Sequence, residues 1–101
     1  MSAPDVVASL IERRRRQILV HSILYYRLDA SLIPDHVYDA WAQELVRLQR
    51  EHPEISEAVD YHRDAFRRFT SSTGYDLPLD DARANRVARD LLTYSERTTT
   101  K

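Results

Sequence analysis

The 101-residue chain contains no cysteine, one glycine (Gly74), one lysine (Lys101) and one tryptophan (Trp41). Each scarcity closes off a class of chemistry. Without cysteine there is no disulfide and no thiolate nucleophile, as expected of a protein kept in the reducing cytoplasm. A single glycine cannot build a glycine-rich phosphate loop. With that glycine and only four prolines, tight turns are few and helix should dominate. No apolar run approaches the roughly 20 residues that cross a bilayer. Arg13 to Arg16 interrupt the apolar core that a signal peptide needs. The histidines, His21, His36, His52 and His62, have no metal-ligand spacing, so no metal is expected. A net charge of −1 gives no bulk argument for nucleic acid or an acidic membrane. A chain this short encloses no deep cleft, so a site on it should be shallow or completed by a partner.

What is present reads as helix. Apolar Val7, Leu10, Ile11, Ile18, Leu24 and Tyr25 recur at helical spacing from Asp5 to about Leu28, with Asp5 placed to cap the start. Asp29 to Ile33 is a short connection. Pro34 then suits the first position of a second helix, and Asp35 its first turn. Tyr38, Trp41, Leu45 and Leu48 form one stripe, with Trp41 in the core, and Pro53 ends the helix. Two long helices on a short connection should pack as an antiparallel hairpin. A third helix is expected over about Ser56–Phe69, with Val59, His62, Phe66 and Phe69 inward. A loop follows over Thr70–Pro78, in which Gly74 supplies a positive φ and Asp76 a local turn contact. A fourth helix should run from Asp80 or Asp81 to about Tyr94 on a face of Val87, Ala88, Leu91 and Leu92. The expectation is one all-α domain over 1–101: a hairpin at about 5–54, a helical second half at 55–94, and a frayed tail at 95–101.

The stretch "LYY…LD…IPDHVYDAW…ELVRLQREHPE" carries more than helix composition. Tyr25 and Tyr26, Asp29, Ile33–Pro34–Asp35, Tyr38–Asp39, Glu44–Leu45 and His52–Pro53–Glu54 resemble the small N-terminal Ia domain of bacterial NAD-dependent DNA ligases, over about residues 21–54. The resemblance implies a module that binds the nicotinamide mononucleotide (NMN) half of NAD. It implies that Tyr25 and Tyr38 stack on the nicotinamide ring, while Tyr26, Asp35 and Asp39 make polar contacts. The chemistry is coherent, since a flat cationic ring suits electron-rich aromatic faces and nearby carboxylates. Asp35 and Asp39 are four residues apart and share a helix face. His21, one turn before Tyr25, would flank the pocket, and His52 would cap a helix C-terminus. The ligases' adenylated "Lys-x-Asp-Gly" motif is absent, so the chain is expected to be a stand-alone, non-catalytic module.

Other readings use the same residues. In one, the hairpin is a scaffold that docks on a nucleotidyltransferase, a DNA ligase or another host protein, as an accessory or inhibitory protein encoded by a phage. A small core also invites homodimerisation through a helix face. Arg13 to Arg16, joined by Arg63, Arg67 and Arg68, form a weak candidate for nucleic-acid contact. Successive helical residues lie about 100° apart, so one arginine is expected on a carboxylate and the rest in solvent. Tyr75 and Asp76 either form a plain turn, the favoured reading, or fold back to close the pocket.

Overall fold

The computed structural model describes residues 3–70 and 74–99. They form an all-α domain of five helices: α1 (Pro4–Tyr26), α2 (Asp35–Glu51), α3 (Pro53–Ala58), α4 (Arg63–Arg67) and α5 (Ala82–Thr99). A 3₁₀ turn at Gly74–Asp76 lies between α4 and α5. No strand occurs among the described residues, and none of their helices is long and apolar enough to cross a membrane.

Helix α1 is the centre of the structure. It packs against α2, α3, α5 and the 3₁₀ turn. That enclosure explains why Ile18, Leu19 and Val20 are all buried in succession, as are Ser22, Ile23 and Leu24. A surface helix buries one stripe, whereas α1 is covered on several sides. Pro4, not Asp5, opens it, with Ala3 at the cap position and Asp5 inside the first turn. Its missing N–H costs nothing there, and Asp5 instead complements the helix dipole. At the other end Asp29 adopts a left-handed φ of 51°. The Leu28 and Ala30 amides donate back to the Ile23 and Leu24 carbonyls at 3.1 and 2.8 Å. Aspartate tolerates this conformation better than most side chains. The turn ends α1 and sends the chain back towards α2, whose cap is Pro34.

The expected hairpin forms. Arg14 meets Glu44, Arg15 meets Gln49 and Ser22 meets Tyr38. Arg14 and Arg15, midway along α1, reach the later half of α2, and Ser22, near the end of α1, reaches its start, which fixes the two helices as antiparallel. Trp41 is half-buried rather than deep in the core, with the His21 ring 5.5 Å away and the Arg14 guanidinium 5.7 Å from its centroid.

The expected third helix is broken in two. Val59 is extended (φ −83°, ψ 112°) and His62 is left-handed (φ 45°). The cause is Arg15, which is only 1% exposed. Its Nη1 donates to the carbonyls of Val59 (2.8 Å) and Tyr61 (3.1 Å). Its Nη2 donates to the carbonyl (3.0 Å) and hydroxyl (2.9 Å) of Ser56, and its Nε to Gln49 Oε1 (2.9 Å). All five guanidinium donors are thereby used. A continuous helix would turn several of these carbonyls onto its own amides. The arginine run thus behaves differently from expectation. Arg14 and Arg16 hold carboxylates, Glu44 and Glu12, while Arg15 is buried on backbone carbonyls. Burial lowers its pKa from the ordinary arginine value, and the charge of Glu57 opposes that shift.

Helix α5 starts on Asp81, whose Oδ1 accepts from the Ala84 amide at 2.8 Å while Oδ2 pairs with His62 Nε2 at 2.8 Å. Its core face is Ala84 and Ala88, with Leu92 half-buried, and Val87 and Leu91 are exposed instead of inward. Small residues let α5 lie close against α1, which turns the larger side chains outward. The helix also continues past Tyr94 to Thr99, so residues 95–99 are helical where a frayed tail was expected. Residues 100 and 101 of that expected tail lie outside the described residues.

Two outcomes follow. Replacing Arg15 with Met should cost about 3 kcal/mol in urea denaturation, because buried carbonyls lose a charged donor. Arg15→Lys should recover little of this, since an ammonium cannot span the same fork of acceptors. Asp81→Ala should cost about 1 kcal/mol at neutral pH by loss of the cap. The Ala84 amide, with His62, holds the Asp81 pKa below its ordinary value. The stabilisation is therefore complete above the unfolded-state value of about 3.9 and is lost as pH falls through the lower folded value. Thermal melts of wild type and Asp81→Ala should converge below about pH 4.

Candidate functional site

A cavity of about 270 Å³ opens where the end of α1 meets the start of α2. Tyr25 and Tyr26 come from the last turn of α1, and Asp35, Tyr38 and Asp39 from the first turns of α2. All five residues singled out in the sequence line this one cavity. The 30–33 connection supplies its apolar edge through Ala30, Leu32 and Ile33. His21 also lines it, as expected of a residue one turn before Tyr25.

The tyrosines play unequal parts. Tyr25 is 59% exposed and Tyr26 45%, so both rings stand at the rim. They meet edge to face, with centroids 4.9 Å apart. Tyr38 is half-buried. Its hydroxyl lies 2.8 Å from that of the buried Ser22. Burial raises the Tyr38 pKa, so the phenol stays protonated. Two hydroxyls joined by one hydrogen bond hold two protons between them. One donates within the pair and the other remains free to donate. Burial lowers the pKa of His21, which leaves the imidazole neutral at pH 7. Asp35 and Asp39 are exposed at the mouth. The pocket thus combines aromatic surface, a hydroxyl donor and two carboxylates.

Gly74 completes the lining, from outside the hairpin. The expectation of a positive φ is wrong, because Gly74 has none. Its role is close approach. A Cβ placed on it would stand 2.5 Å from the Tyr38 hydroxyl and 3.1 Å from the Ser22 hydroxyl. Only a residue without a side chain fits over that pair. The loop therefore does fold back onto the hairpin. Gly74, rather than Tyr75 or Asp76, touches the cavity, while Tyr75 packs its ring 6.4 Å from Tyr26. Ser71 to Thr73 of this loop lie outside the described residues.

Ser22 and Gly74 were missed from the sequence. Ser22 had a signal. Val7, Ile11, Arg15, Ile18 and Ser22 fall at intervals of three and four on one stripe. A polar residue on such a stripe needs a buried partner. No group of side chains suited to a metal ion occurs among the described residues.

Gly74→Ala should destabilise the protein by about 1–3 kcal/mol through overpacking against Tyr38. Adding Tyr38→Phe removes the opposing oxygen, so the double variant should be more stable than the sum of the single effects allows. Additive losses in a denaturation cycle would show that Gly74 does not seat on the hydroxyl pair.

The family described as the DNA ligase-like, N-terminal NAD+-binding domain matches residues 4–59. That span covers α1, the connection, α2 and α3, and stops at Val59, one of the carbonyls that hold Arg15. The DNA ligase of Saccharophagus degradans is 42% identical over 55 residues, covering 54% of this chain and 8% of the relative. That of Desulfitobacterium hafniense (strain Y51) is 49% identical over 52 residues, 52% of this chain and 8% of the relative. That of Stenotrophomonas maltophilia (strain K279a) is 47% identical over 51 residues, 50% of this chain and 6% of the relative. The chain therefore spans less than a tenth of the length of these relatives. No solved structure matches it significantly. With more than half of its residues matched, including every pocket residue except Gly74, the protein belongs to the family of DNA ligase-like, N-terminal NAD+-binding domains.

Proposed function

We propose that this chain binds the nicotinamide mononucleotide half of NAD and acts as a non-catalytic, ligase Ia-like module. The observation that supports this most directly is the convergence of Tyr25, Tyr26, Asp35, Tyr38 and Asp39 on one cavity within the family region. Size supports the same part of the molecule. A cavity of about 270 Å³ lies at the lower end of ligand sites, suited to one ring and its sugar rather than a dinucleotide. Tyr25 and Tyr38 present aromatic surface to the ring. The free proton of the Ser22–Tyr38 pair can donate to the carboxamide oxygen, and Asp35 and Asp39 can accept from ribose hydroxyls. These groups bind and orient a ligand. The cofactor, when bound, supplies a nicotinamide nucleotide that serves as leaving group when NAD is used as an adenylyl donor.

The rim is open, so affinity should be modest. Calorimetric titration of NMN should give a Kd of ~1 mM, about −4 kcal/mol. Tyr25→Ala, at an exposed position, should weaken it several-fold without lowering the melting temperature. Unchanged affinity in that variant, or no heat of binding at several-fold higher ligand, would remove this reading.

A second reading, a protein-interaction module acting on a DNA ligase or another host protein, is favoured by one feature. Val87, Leu91 and Tyr94 stand exposed along α5, 42%, 38% and 68% accessible. It requires that the chain alter nick sealing by an NAD-dependent ligase and that Leu91→Asp abolish the effect.

A further inference from the structure

Helix α5 buries Ala84 and Ala88 and packs on α1, and it leaves Val87, Leu91 and Tyr94 in solvent. These three are spaced by four and then three residues, so they form one seam along the helix. A seam of this spacing is the pattern by which one helix packs along another. None of the three lines the cavity between α1 and α2, so the seam is a separate feature of the molecule. The charges beside it indicate what covers it. Arg83, Asp90 and Arg97 recur every seven residues, nearly two whole turns, along one flank of the seam. Asp90 and Arg97 are exposed, and no ion pair among the described residues uses either of them. They stand roughly 10 Å apart along the helix, too far to pair with each other. An antiparallel helix from a second copy changes this, because its flank residues meet the same flank of the first copy. With Leu91 layered on Tyr94 of the second copy, Asp90 lies beside Arg97 of that copy, and by symmetry Arg97 lies beside its Asp90. The alternative register, with Leu91 on Val87 of the second copy, sets Asp90 against Asp90 and Arg83 against Arg97, like charge on like. Parallel pairing sets Asp90 beside Ser95 and provides neither ion pair. One antiparallel register is therefore self-complementary in apolar layers and in charge, as a two-fold interface requires.

We propose that this chain self-associates through α5. An antiparallel second copy occupies the seam of Val87, Leu91 and Tyr94, and two reciprocal Asp90–Arg97 ion pairs fix its register. The inference is independent of the nicotinamide reading. Helix α5 has 18 residues and is about 27 Å long. One helix pair of that length buries less than the roughly 1,200 Å² of a stable interface, so the dimer is weak and reversible.

The test is sedimentation equilibrium of the full chain between ~10 µM and ~1 mM. Wild type should form a dimer with a Kd of ~100 µM. Leu91→Asp should leave only monomer over this range. Asp90→Arg alone and Arg97→Asp alone should each weaken association about tenfold, by setting like charges together. The variant carrying both Asp90→Arg and Arg97→Asp should return to within about twofold of wild type, and so should an equimolar mixture of the two single variants, because each restores both ion pairs. These positions are exposed, so the circular dichroism of every variant should match wild type. A monomer at every concentration would overturn the inference. Dimerisation that survives Leu91→Asp would put the contact elsewhere and overturn it as well. Weakening by the single charge variants with no recovery in the double variant or the mixture would overturn the antiparallel register. If the chain stays monomeric while an NAD-dependent ligase shifts the α5 amide signals, the seam serves another protein and not a second copy.

Discussion

A guanidinium buried without a carboxylate partner organises this protein. Removing a charge from water is costly unless its hydrogen-bonding capacity is met. Arg15 meets all of it, with three backbone carbonyls, one hydroxyl and one side-chain amide oxygen. The arrangement is reciprocal. A break between α3 and α4 leaves carbonyls without helical partners, and Arg15 supplies the donors. Gln49 extends the node, accepting from Arg15 and donating to the Phe66 carbonyl at 2.9 Å. Arg15 thereby ties α1 to α2, α3 and the break after it, and Gln49 carries the node on to α4. Two turns further along α1, Ser22 reaches Tyr38. The register set at Arg15 is the register that brings the late residues of α1 over the early residues of α2 and forms the pocket.

The second half of the chain contributes to that same pocket although it lies beyond the family region. Gly74 seats on the Ser22–Tyr38 pair, and Leu77, 6% exposed, anchors the turn just after it. The His62–Asp81 pair joins the helix break to the start of α5, and α5 covers α1. A hairpin alone would leave the Tyr38 hydroxyl and the Ser22 side open to water. Gly74, from outside the family region, covers this pair.

How much of this could be read from the sequence depended on whether local or tertiary forces ruled. The two long helices and their turn were legible, because Pro34, Pro53 and the apolar spacing act locally. Five of the lining residues, Tyr25, Tyr26, Asp35, Tyr38 and Asp39, were legible through the Tyr-Tyr and "IPDHVYD" pattern, which a short hairpin brings together. The break at Val59–His62 was not, because its cause lies more than 40 residues away in Arg15. Nor was the role of Gly74. Lone glycines usually signal a backbone angle, whereas this one is required by an oxygen from another helix. Half of the α5 face was misjudged for a related reason. Ala88 and Leu92 face the core as expected, but the hydrophobic pattern also put Val87 and Leu91 inward, where close packing on α1 takes Ala84 instead.

The central claim is that the family hairpin and the later segment build one nicotinamide site together. Gly74 offers a direct probe, because the chain's single glycine gives one isolated amide signal in a nitrogen-15 correlation spectrum. On titration with NMN, that signal should move in step with those of Tyr25, Tyr26, Tyr38 and Asp39, along one binding curve. If the hairpin signals move and Gly74 stays still, the later segment takes no part in the site. If the shifts fall on α5 instead, the pocket between α1 and α2 is not where the nucleotide binds.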